Sequence, residues 1–261
     1  MDLDVVTKML KMTYSFELWD KLLELSDSLY KRVQDIYEYR RDISDQYTKP
    51  SRHLVYYYGY SLLMKGLAYK ELEHYGEALR CIDQYSDLSW FKPLDEEALR
   101  EVRYYKYISE PNRLEVLLLS GETDILRHYV EFLRENPKEV LPGLMSIIKT
   151  ANKFNLNIDH ELTLFSQHIS DLLNNSSQGV IDTSYLHNFL LGIIKYKIAH
   201  SDYKAAIDYT LRLLTSTDKL ENDKFYKQAV VYFESLRQFA SAEQVDHFHL
   251  HITNIMERVV I

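Results

Sequence analysis

Apolar residues recur along this chain with the period of a helix. Leu18, Trp19, Leu22, Leu23, Leu25 and Leu29 follow one another at three- and four-residue spacing, which places them on one buried stripe. The pattern lapses between about Arg40 and Arg52, where Asp42, Ser44, Asp45, Lys49 and Pro50 gather, and it resumes near Leu54. Residues 1–40 therefore read as a helix pair, 41–53 as a connector and 54–261 as a longer run of helices. Start signals divide that run. Asn136-Pro137-Lys138-Glu139 puts a capping residue before a proline at the first helical position, where the missing N–H costs nothing and the glutamate meets the positive end of the dipole. Asp159, Asp182, Asp202 and Ser241 can each cap a following helix, and Gln244 stands three residues after Ser241 at capping-box spacing. Asn174-Asn175-Ser176-Ser177-Gln178-Gly179 reads as the clearest interior loop.

The helix pairs repeat. In the stretch from Gly66 to Ala78, Gly66, Tyr69, Tyr75 and Ala78 stand at the offsets of a tetratricopeptide repeat, which the segment resembles. Small residues at Gly66 and Ala78 let two helices approach closely, and the aromatics fill the remaining gap. The same offsets give looser copies centred on Leu126, Thr163 and Ala206. The Thr163 copy keeps Ala151 and Phe154, the Ala206 copy keeps Tyr203 after Ser201-Asp202, and the Leu126 copy keeps Leu114, Leu117 and Gly121 in the turn. The expected fold is all-α, a tetratricopeptide-type right-handed α-solenoid of antiparallel helix pairs, forming a single domain over 1–261.

Composition agrees with that class. Only 7 Gly and 5 Pro punctuate 261 residues, and 46% are hydrophobic, enough to bury an extended core in long helices with short connections. The longest apolar runs are short, as in Leu117-Leu118-Leu119, so no membrane span is expected. Met1-Asp2-Leu3-Asp4 shows neither a basic nor an apolar leader region, and a single cysteine, Cys81, excludes an intrachain disulfide. A cytoplasmic protein is the resulting expectation. The net charge of −8 is spread over interspersed acids and bases, without the basic face that nucleic-acid phosphates require.

A second resemblance rests on Val55-Tyr56-Tyr57-Tyr58-Gly59-Tyr60-Ser61-Leu62-Leu63-Met64-Lys65-Gly66, continuing through Ala78-Leu79-Arg80-Cys81-Ile82 to Tyr85-Ser86-Asp87-Leu88-Ser89-Trp90-Phe91. This stretch is similar to the C-terminal repeat region of Xre-family transcription regulators of Gram-positive bacteria, in which a helix-turn-helix precedes a tetratricopeptide-like array. The similarity runs from about residue 54 to 145 and is architectural beyond. It implies a sensor or oligomerisation domain, in a broader group whose members bind short signalling peptides in the concave groove. Residues 1–35 read as a repeat-like helix pair and not as a compact basic three-helix unit, so DNA enters only through a helix-turn-helix that this chain does not show.

No catalytic motif is present: neither a G-x-S-x-G elbow, a Walker A loop, a dinucleotide fingerprint nor an HExxH helix. Asp95-Glu96-Glu97 reads as a solvated first helical turn. On a helix only His247 and His251 share a face while His249 points away, so no metal is expected, and no cofactor. Cys81, beside Leu79 and Ile82, reads as a packed thiol. Tyr56, Tyr57, Tyr58 and Tyr60 fan over more than half a helix circumference, so they cannot share one interface; most of that area is expected between helices, with the phenol oxygens reaching water.

In the repeat architecture the first helix of each pair lines the concave face. The corresponding offsets give Tyr60, Leu63, Leu67 and Lys70 in the best repeat, Met145, Ile148, Asn152 and Asn155 in the Thr163 copy, and Asn188, Leu191, Lys195 and Ile198 in the Ala206 copy. Aliphatic, aromatic and amide side chains on one surface suit an extended peptide, since an asparagine amide both donates to and accepts from a peptide bond. Asn155 reads equally as a left-handed helix terminus and Asn188 as a solvated first-turn residue. The expected function is a non-catalytic peptide- or protein-binding regulatory domain of a bacterial transcription regulator. The alternative is a scaffold whose repeat surface makes a homodimer or a larger assembly.

Overall fold

The structure, a computed structural model, describes residues 2–39, 50–175, 183–218 and 223–259. Those residues form thirteen α-helices. The chain divides into two compact units, Met1–Phe132 and Leu133–Ile261.

The first unit contains α1 (Leu3–Ser15), α2 (Trp19–Tyr39), α3 (Leu54–Glu71), α4 (Tyr75–Ser86), α5 (Glu96–Ser120) and most of α6 (Leu126–Glu135). Packing is sequential: α1 lies on α2, α2 on α3, α3 on α4 and α4 on α5, while the first helices of successive pairs, α1, α3 and α5, also touch in order. α3 is thus covered from four sides, which accounts for its apolar character all round. Asp2 caps α1 through its carboxylate, which accepts from Asp4 N at 2.8 Å, and Asp95 caps α5 by accepting from Ala98 N at 2.8 Å.

The tyrosine run is distributed over those four neighbours. Tyr57 is fully buried, Tyr58 and Tyr60 nearly so, and Tyr56 half-buried. Several tyrosine hydroxyls in this core have protein partners. Tyr57 Oη donates to the Asp4 carboxylate, Tyr58 and Tyr30 share a hydroxyl contact at 3.2 Å, and Tyr105 Oη donates to Tyr56 O at 2.8 Å. Four helices converge on α3, and hydroxyls enclosed among them are satisfied by protein partners.

Three helix pairs close with one turn geometry. Glu17, Glu73 and Ser201 each hold a left-handed φ, of 56°, 60° and 59°. The residue after each donates its N–H back across the turn, Leu18 to Thr13 O at 3.1 Å, His74 to Tyr69 O at 2.8 Å and Asp202 to Lys197 O at 2.9 Å. This is the Schellman closure. Five residues after each turn stand Leu22, Ala78 and Ala206, and seven before it stand Leu10, Gly66 and Ile194, all buried. A Cβ built on Gly66 would lie 3.2 Å from Cys81 Cβ, so the close helix approach expected at that glycine is present.

The second unit contains α7 (Val140–Phe154), α8 (Asp159–Leu164), α9 (Ser166–Asn175), α10 (Thr183–Ala199), α11 (Tyr203–Asp218), α12 (Asp223–Leu236) and α13 (Ala242–Val259). Here α7 packs chiefly on α10, and α10, α11 and α12 follow in sequence. Ser241 and Gln244 form the expected capping box, Gln244 N donating to Ser241 Oγ at 3.2 Å and Ser241 N to Gln244 Oε1 at 2.9 Å. Asp202 caps α11 through Ala205 N at 3.3 Å.

Two expected caps differ. Asn136 makes no side-chain cap bond, because Pro137–Glu139 forms a 3-10 turn and the α-helix begins only at Val140. Asp159 is the first residue of α8 and its carboxylate instead takes Lys197 Nζ at 3.0 Å. Asp182 and most of the loop expected at 174–179 lie outside the described residues, as does the connector from 40 to 49.

Candidate functional site

The candidate face in Met1–Phe132 spans α1, α3 and α5, which touch in order. Its α3 row runs Tyr56, Tyr60, Leu63, Leu67 and Lys70. Tyr56 and Tyr60 stack with ring centroids 5.6 Å apart, and the Arg52 guanidinium sits 4.2 Å above the Tyr56 ring while pairing with Glu101 at 3.6 Å. Burial raises the Tyr60 hydroxyl pKa, with Tyr56 and Tyr104 adding to it. On α5, Tyr104 and Tyr107 are exposed, and Ile108 and Pro111 half-buried. The middle of the face is aromatic and aliphatic.

Its far end is charged and closed. Lys70 Nζ meets Glu115 Oε1 at 3.0 Å and Glu71 Oε1 at 3.5 Å. Burial would lower the Lys70 pKa, but Glu115 and Glu71 outweigh it and raise the value above the usual lysine range. Lys70 is therefore a buried ion-pair partner linking α3 to α5.

The expected site residues separate by role. Tyr60 is almost buried beneath the face and Leu63 lies half-buried on it. Asn152 is half-buried on α7, and its Nδ2 donates to Gly192 O on α10 at 2.9 Å. A Cβ on Gly192 would stand 2.8 Å from Ile148 Cγ2, so this amide clasps two helices at their closest approach. Asn155 caps α7 with φ 54°, and Leu156 N donates to Ala151 O at 3.1 Å, the left-handed terminus that its residue type favours. Asn188 and Lys195 are exposed on α10, with Leu191 half-buried between them.

Asn155 also fixes the register of α7. The spacing that relates Glu73 to Ala78 leads from Asn155 to His160, which is exposed. Thr163 is exposed, and α8 carries no buried residue. Ile148 is buried, close to Gly192 of α10.

Glu115, the partner of Lys70, escaped the sequence reading. The offsets that gave Tyr60, Leu63, Leu67 and Lys70 point in the Leu126 copy to Ile108, Pro111, Glu115 and Leu118. Reading the weakest copy with the same rule would have found it.

Cys81 is buried, and burial pushes its thiol up to about 11. His247 and His249 are exposed on α13, and among the described residues no group of three or more His, Cys, Asp or Glu is placed to hold a metal ion. No helix among the described residues is long and apolar enough to cross a membrane. Comparisons with protein-family models, with curated proteins and with solved structures return no match.

Proposed function

We propose that Met1–Phe132 is a tetratricopeptide-like recognition module that binds an extended peptide or protein segment along the face of α1, α3 and α5. One observation carries this reading. The first helices of successive pairs lie side by side, with half-buried Leu63 and Ile108, exposed Tyr104 and the Tyr56–Tyr60 stack turned to that surface. Rigid aromatic side chains give a ligand apolar contact at low entropic cost. An extended chain suits such a surface because its alternate side chains can enter gaps between helices while its backbone stays near polar groups. In the second unit Asn188, Leu191 and Lys195 offer α10 as a smaller surface of the same kind.

The chain is on this reading a non-catalytic regulatory binder, comparable to the sensor region of Xre-type regulators that residues 54–145 resemble. Peptides selected from a displayed library, or recovered by mass spectrometry from material co-purified in the native host, would be titrated into the full chain by calorimetry. Leu63→Ala and Tyr104→Ala are expected to weaken binding by roughly tenfold each. Unchanged affinities in both folded variants would remove this face as the site. Recovery of no peptide at all would favour the scaffold reading, which the exposed apolar residues of α1 support.

A further inference from the structure

We propose that Lys11 is a specificity-determining residue of the α1, α3 and α5 face, pairing with an acidic side chain that the bound peptide carries among apolar neighbours. This rests on the peptide reading above and names the chemistry of its ligand.

The offsets that give Tyr60, Leu63, Leu67 and Lys70 from Ala78 give Asp4, Thr7, Lys11 and Tyr14 from Leu22 on α1. Contacts with α3 fix that row at both ends. Asp4 accepts from the Tyr57 hydroxyl, and Tyr14 stands near enough to Lys70 to act on its charge. Lys11 lies between them, one turn from Thr7 and one from Tyr14. By the same offsets it is level with Leu67 of α3 and Glu115 of α5.

Charge along the three rows selects the sign of the ligand. The Asp4 carboxylate accepts from Ser51 N at 2.9 Å and Ser51 Oγ at 2.6 Å besides Tyr57. Glu101, one turn before Tyr104, pairs with Arg52 at 3.6 Å, and Lys70 is enclosed by Glu115 and Glu71. A ligand charge brought to any of these groups would compete with a bond already made. Glu97 and Arg100, exposed on either side of the first turns of α5, carry opposite signs. Lys8 stands off the α1 row and acts on Asp4.

Lys11 differs from all of them. It is exposed, and among the described residues it has no ion pair or hydrogen bond. On rows that are otherwise balanced, within a chain of net charge −8, the one unmatched charge is positive. Complementarity then calls for a carboxylate, and a basic ligand side chain would meet no unpaired partner on these rows. Half-buried Leu67 and Leu63 lie beside Lys11 on α3, so the residues flanking that carboxylate are apolar.

A displayed library of random peptides would be panned on the full chain and on Leu63→Ala, Lys11→Met and Lys11→Glu, each checked for helix content by circular dichroism. Peptides that need Leu63 should be enriched in Asp and Glu on the parent, lose that preference on Lys11→Met and favour Lys and Arg on Lys11→Glu. One selected peptide and its counterpart with an amide in place of the acid would then be titrated by calorimetry. The amide should weaken binding to the parent by about twofold to fivefold and binding to Lys11→Met by clearly less. Added salt should lower the affinity of the parent more than that of Lys11→Met. Leu63-dependent peptides without acidic preference, or equal losses for parent and Lys11→Met, would overturn the role of Lys11 and leave the peptide reading standing. A library that yields no Leu63-dependent binder would overturn both.

Discussion

At the scale of single residues, two positions show structural demands that residue type alone conceals. Lys70 stands by sequence offset in the row expected to line the concave face, yet its ammonium is enclosed by Glu115 and Glu71. Removing one member of a buried pair strands the other charge, whereas replacing both removes the cost. Lys70→Met should therefore destabilise by roughly 3 kcal/mol, and Lys70→Met with Glu115→Leu by clearly less than the sum of the two single changes. Urea denaturation of the four proteins in the cycle checks this, and additive effects would show that the pair is not coupled. Ser201 carries strain of a different origin. Its φ of 59° is unfavourable for a residue with a Cβ, and the side chain is exposed. Ser201→Gly should stabilise by about 0.5–1 kcal/mol as relief of that conformation exceeds the added entropy of the unfolded chain, read as a higher denaturation midpoint.

At the scale of helices, close approach decides which positions accept a methyl group. A Cβ on Gly59 would lie 2.3 Å from Tyr105 Cε2, and Tyr105 is fully buried with its hydroxyl fixed on Tyr56 O. Gly59→Ala should therefore destabilise by roughly 1–3 kcal/mol through overpacking, despite alanine's better helix propensity. Gly76→Ala, where nothing stands within 4 Å, should be neutral or stabilising; equal effects at both sites in thermal melts would contradict this packing. The same principle explains how much of the fold was legible in the sequence. Helix periodicity, the Ser241–Gln244 capping box and the Gly66–Ala78 approach are local signals, and the structure contains them. The helix pair around Leu22 was hidden because a leucine pair, Leu10 and Leu22, occupies the positions held by glycine and alanine at Gly66 and Ala78. The turns at Glu17 and Glu73 were hidden because glutamate carries no preference for a left-handed φ. The offsets singled out both Leu63 and Asn152; the bond from Asn152 Nδ2 to Gly192 O was not legible, since it depends on a helix that sequence spacing does not bring to α7.

At the scale of the whole molecule, the two units should answer acid differently. His187 in Leu133–Ile261 is fully buried beside the Phe225 ring, centroids 4.8 Å apart, and neither imidazole nitrogen has a protein hydrogen-bond partner. Burial lowers its pKa from 6.5, because a charged imidazolium there would be unsolvated. The unfolded chain then binds its proton first as pH falls, so this contribution to stability is complete above about 6.5 and is lost as pH drops toward the folded value. Asp4 in Met1–Phe132 titrates in a lower window. Partial burial raises its pKa, but the hydrogen bonds from Ser51 and Tyr57 outweigh it and hold the value below 3.8. Its contribution persists above that value and is lost only on further acidification. The apolar cluster running from Leu3 to Val116 is confined to the first unit, so a fragment of residues 1–132 should fold by itself with a cooperative urea transition. Between about pH 7 and 5 that fragment should keep its midpoint more nearly constant than the full chain. His187→Leu should remove much of the difference in the full chain by abolishing the titration. A fragment that unfolds without cooperativity would show that its core needs residues 133–261, and a full-length His187→Leu variant as acid-sensitive as its parent would show that the buried imidazole is not the group being protonated.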